Sequence, residues 1–134
     1  EALADRKEEK AVSRFIELLN SPIESVRNRV MLSLGKIGDD RAIEPLMGIV
    51  NKGRDNIDYL KALGALSKLK YSKIYDEILN MVKDNFHTSY AVDMLEEFYE
   101  NPNTLETLQK IAREDPKEYI REKAKNAIER INNK

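Results

Sequence analysis

The chain has 134 residues, 35% of them charged and 41% hydrophobic, with 23 Lys and Arg against 24 Asp and Glu for a net charge of −1. That length supports one domain with a packed core, and the balance suits an ordered chain rather than a disordered one. There is no Cys, which excludes disulfides, thiolate zinc sites and cysteine nucleophiles. The missing basic excess argues against a nucleic-acid binder, whose affinity comes largely from neutralising phosphates.

No apolar run reaches membrane-spanning length and no signal-peptide pattern opens the sequence, so a cytoplasmic location is expected. Gly and Pro are scarce, at 5 and 4 residues, and no hairpin dipeptide separates alternating segments. Glu, Lys, Leu, Ile and Ala dominate, which favours helices over strands.

In chain order, an opening helix is predicted over 3–19, with Val12, Phe15, Leu18 and Leu19 on its apolar face. Ser21-Pro22-Ile23-Glu24-Ser25-Val26-Arg27 then reads as a helix start. Ser21 serves as N-cap, Pro22 sits at N1 where a missing N–H costs nothing, and Glu24 at N3 closes a capping box. The same start returns 94 residues later (115 − 21) as Asp115-Pro116-Lys117-Glu118-Tyr119-Ile120-Arg121. After the first copy, Val26, Val30, Leu34 and Ile37 mark one face of a helix over 22–37. Gly38 fits a left-handed C′ position, and Asp39 or Asp40 can cap the next helix, 41–51. Pro45 lies in or just past the first turn of that helix and need not break it.

These two helix types, A and B, then alternate about every thirty residues. A helices recur over 56–69, 86–99 and 116–132, and B helices over 73–83 and 103–113, with ends good to about two to four residues. The A face returns as Asp58, Ala62, Leu66 and Leu69, as His87, Ala91, Leu95 and Phe98, and as Ile120, Ala124, Ile128 and Ile131. The B face, Ile43, Leu46, Ile49 and Val50, returns as Tyr75, Ile78, Met81 and Val82 and as Leu105, Leu108, Ile111 and Ala112. Spacing by three and four is one face of an α-helix. Gly64, inside an A helix, reads as permitting close helix packing.

From Val26-Arg27 through Leu34-Gly35-Lys36-Ile37-Gly38-Asp39-Asp40-Arg41-Ala42-Ile43-Glu44-Pro45-Leu46, the sequence resembles the HEAT repeat of the phycobilin-lyase-like subfamily. Later repeats keep the apolar skeleton and lose the signature, with Asp58-Tyr59 and His87-Thr88 where Val-Arg is expected. The resemblance implies an all-α fold, an α-solenoid of antiparallel helix pairs with about four repeats, spanning 1–134 as a single domain. It does not carry a function, because one fold hosts many.

Chemistry is sparse. His87 is the only histidine; it reads as a partly buried helix-start residue, or alternatively as a proton shuttle or ligand lacking partners. No phosphate loop follows a strand, since Gly35 and Gly38 lie in a helix and its cap. Neither a metal nor another cofactor is expected. Asp93, Glu96, Glu97 and Glu100 form either a solvated helix face or an acidic patch for a basic partner. The tyrosines, Tyr59, Tyr71, Tyr75, Tyr90, Tyr99 and Tyr119, are either packing residues or interface residues, with Tyr75 at a core position.

The outward B-helix positions form rows: Ser13, Glu44, Asp76 and Glu106; Glu17, Gly48, Asn80 and Lys110; Asn20, Asn51, Lys83 and Arg113. Acids near helix N-termini and bases near C-termini are what the helix dipole favours without any ligand. Repeat proteins nonetheless bind on such faces. The expected function is therefore a non-enzymatic scaffold or adaptor holding a protein or peptide on its B-helix face. The expected site is Glu44, Asp76, Asn80, Glu106, Lys110 and Arg113, with Met47 and Leu79 as apolar anchors. The rival is a lyase or lyase-assisting subunit acting on a bound chromophore or protein, which an aromatic-lined pocket with a general acid would favour. A monomer is expected, with no nucleic-acid or membrane partner, because the last helix looks like a polar cap.

Overall fold

The computed structural model describes residues 3–134, with side chains from Glu9 onward. Among these residues the chain forms eight α-helices and no strand. They are α1 (Leu3–Leu18), α2 (Glu24–Ile37), α3 (Ile43–Val50), α4 (Tyr59–Lys68), α5 (Tyr75–Lys83), α6 (Thr88–Glu97), α7 (Pro102–Glu114) and α8 (Glu118–Asn132). Every predicted helix is present within three residues at each end, apart from the one-turn 3-10 segments, Asp40–Ala42 and Ser72–Ile74, that lead into α3 and α5. The chain divides into two compact units, one ending at Tyr71 and the other beginning at Ser72.

In the first unit α2 packs against α1 and α4, and α3 packs against α4. Val12, Leu34, Leu46, Leu63 and Leu66 are fully buried there, at the three-and-four spacing that makes a helix amphipathic. Gly35 sets the approach of α2 to α4: a methyl added there would meet the Ala65 Cα and the Lys68 Cβ at 3.3 Å each. Gly64, the glycine expected to allow close packing, faces open space instead. Its missing side chain leaves room that no neighbouring helix fills. The α2–α3 connection follows the expected chemistry. Gly38 takes a left-handed φ of 75° and donates its N–H to Leu34, and Asp39 accepts the N–H of Arg41. Hydrogen bonds from the Arg41 side chain and backbone lower the Asp39 pKa to about 2.

The two proline-containing helix starts differ from the capping-box expectation. Helix begins at Glu24 and Glu118, after extended Ile23 and Lys117, with no side-chain cap on either. Ser21 Oγ and Asp115 Oδ1 instead accept the N–H groups of Ile23 and Lys117, 3.2 and 2.9 Å away. These short side-chain turns precede the helices because a residue before proline is held out of the helical region. An arginine completes each turn. Arg27 Nη1 donates to the Ser21 carbonyl at 2.9 Å, and Arg121 Nη1 donates to the Asp115 carbonyl at 2.7 Å. Arg27 also pairs through Nε with Asp58 Oδ2 at 2.7 Å, with only 17% and 10% of the two side chains exposed. Asp58 thus replaces an expected apolar residue because it is the ionic partner of the preceding repeat. Its Oδ1 is buried without a hydrogen-bond partner.

In the second unit α6 contacts α5, α7 and α8, and α7 lies along α8. Ile78, Met81, Leu95, Leu108 and Ala124 are fully buried. Thr104 Oγ1 donates to the Phe98 carbonyl at 2.8 Å, so the Tyr75 hydroxyl, 2.7 Å away, donates to Thr104. Burial raises the Tyr75 pKa, with the Thr104 hydrogen bond opposing it. Four expected inward positions, Ile128, Ile131, Ile37 and His87, are corrected. Ile128 and Ile131 are only half-buried, because the inward face of α8 turns through Ile120, Ala124 and Ala127. Ile37, the last residue of α2, is 44% exposed where the chain peels into the Gly38 turn. His87 is exposed rather than partly buried. Asn85 and His87 both adopt left-handed φ, 52° and 48°, and carry the ring outward against Phe86 and Tyr90.

Two mutant pairs check this architecture in urea unfolding. Gly35→Ala should destabilise the protein by about 1–3 kcal/mol, because the added methyl meets backbone. Gly64→Ala should stabilise it by about 0.5–1 kcal/mol, because helix propensity improves with nothing to displace. Arg27→Ala should cost about 3–5 kcal/mol, since it strands the buried Asp58 carboxylate. Arg121→Ala removes one charged hydrogen bond to a carbonyl and should cost about 1.5–3 kcal/mol.

Candidate binding clefts

Residues beside the buried stripe of a B helix recur at i, i+3 and i+4. Where two B helices lie side by side, these positions face each other across a furrow. In the second unit Leu79, Val82 and Lys83 on α5 face Thr107, Lys110 and Ile111 on α7, across an open cleft of about 640 Å³. In the first unit Ile16, Leu19 and Asn20 face Pro45, Gly48 and Ile49 on α3, across about 540 Å³. The pairs are equivalent by repeat position: Ile16 with Leu79, Leu19 with Val82, Pro45 with Thr107, and Ile49 with Ile111. Each cleft closes at one end on a helix-start turn, Ser21 and Arg27 in the first unit and Asp115 and Pro116 in the second. The two differ in where charge sits: Lys83 and Lys110 stand where the first unit has Asn20 and Gly48, and Glu114 stands where it has Lys52.

All twelve residues of the three outward rows are exposed. Of the eight expected site residues, Leu79, Glu106, Lys110 and Arg113 line the α5–α7 cleft. Asp76 and Asn80 are exposed on α5 outside its lining. Glu44 and the half-buried Met47 lie on α3, where Pro45, Gly48 and Ile49 form the wall instead. Sequence reasoning missed Val82, Thr107 and Ile111 as lining residues. It sorted positions into core and outward rows, whereas a furrow is made by the positions between them. The runs 45, 48, 49, 52 and 107, 110, 111, 114 carry that signal.

The acidic stretch on α6 is engaged within its own unit. Lys123 Nζ meets Asp93 at 2.8 Å and also donates to the Ser89 carbonyl and hydroxyl. Arg130 grips both oxygens of Glu96 at 2.7 and 2.8 Å. These pairs tie α8 to α6 and leave less free negative charge for a basic partner. Tyr59 and Tyr75 are buried, while Tyr90 and Tyr119 are 47% and 61% exposed. No tyrosine, phenylalanine or histidine lines either cleft. Among the described residues no cluster of His, Cys, Asp and Glu could hold a metal ion, and no helix is long and apolar enough to cross a membrane.

Paired helices with short connections, in units that each keep an open furrow between B helices, define an all-α helical repeat protein. A sequence model of HEAT repeats matches residues 1–67, and the chain belongs to the HEAT repeat family. No curated protein matches it.

Proposed function

We propose that this protein is a non-catalytic scaffold or adaptor that holds a partner protein or peptide against its B-helix surface. The observation that carries the reading is the recurrence of the same open cleft, at equivalent residues, in both units. HEAT repeats commonly mediate protein interactions, and a shallow furrow with an aliphatic floor and polar rim suits a polypeptide segment. The lyase reading calls for an aromatic-lined pocket with a general acid, and neither cleft has an aromatic wall. Membership of the phycobilin-lyase-type subfamily is part of the proposal, supported by the Leu34–Leu46 signature. So are a cytoplasmic location and the treatment of residues 1–134 as one repeat domain, the latter supported by the unbroken alternation of A and B helices.

A photo-crosslinking benzoyl-phenylalanine at Thr107, on the cleft wall, should give a discrete protein adduct in native lysate. The same group at Tyr119, exposed on α8, should give none. Adducts from Tyr119 alone, or equally from both, would refute the assignment. The outer face of α8, with Glu118, Glu122, Lys125 and Glu129 exposed, further supports a monomer. Sedimentation velocity should show one species of monomer mass across a wide concentration range; a concentration-dependent dimer would overturn that.

A further inference from the structure

We draw no further inference here: the strongest candidate, the Asp58 carboxylate at the end of the α1–α3 cleft, paired with Arg27 through Oδ2 and without a hydrogen-bond partner at Oδ1, carries nothing because Oδ1 is itself sealed from the open space of that cleft, so no ligand lying there reaches it.

Discussion

The hydrogen bond from an A-helix arginine back to the carbonyl six residues earlier governs how α2 and α8 begin. Both starts contain a proline that keeps the preceding residue out of helix, so the chain enters through an extended residue, Ile23 or Lys117. A turn of this kind leaves a carbonyl to satisfy and an entry angle to fix. Arg27 and Arg121 do both. The same turns close one end of each cleft, so the clamp that directs the helix also shapes the furrow. In the first unit the clamp extends to Asp58 and couples α2 to the start of the next helix pair.

Within that frame, both helix types bury large aliphatic residues, and small residues mark where A helices approach one another. The A helices meet through small side chains: Gly35 over Ala65 where α2 meets α4, and the fully buried Ala124 and Ala127 on α8. Small residues let backbones approach closely, and close packing makes even one added methyl costly. The A helices also bury Leu34, Leu66 and Leu95, while the B helices bury Leu46, Ile78 and Leu108. The B helices are spaced more widely, and the furrow is the surface consequence of that spacing. Where A helices need polar ties they use long basic side chains, as Lys123 and Arg130 do from α8 onto α6.

The functional reading follows from which polar groups are already spent. On the A side, Asp93 and Glu96 answer to α8. On the B side, Lys83, Lys110 and Arg113 are exposed and hold no partner. Exposed charge alone is ordinary on a helical surface. Both furrows have an aliphatic floor and a charged rim, with Lys83 and Lys110 at positions where the first unit has Asn20 and Gly48, and Glu114 where it has Lys52.

The helices themselves were legible in the sequence, because an amphipathic helix writes its period into the order of residues. So were the Gly38–Asp39 connection and the core place of Tyr75, which depend on local chemistry and apolar spacing. The sequence did not reveal which glycine lies in a helix crossing. Gly35 and Gly64 look alike in one dimension and differ only in what stands opposite them. Asp58 looked like a broken signature until its carboxylate met Arg27, and Ile128 looked as deeply packed as Ala124 until the phase of α8 was fixed by its neighbours, which bury Ala127 instead. The cleft positions lay between two clear categories, core and solvent. Whether such a boundary residue packs, faces water or lines a furrow depends on the distance to the next helix, which only tertiary structure sets.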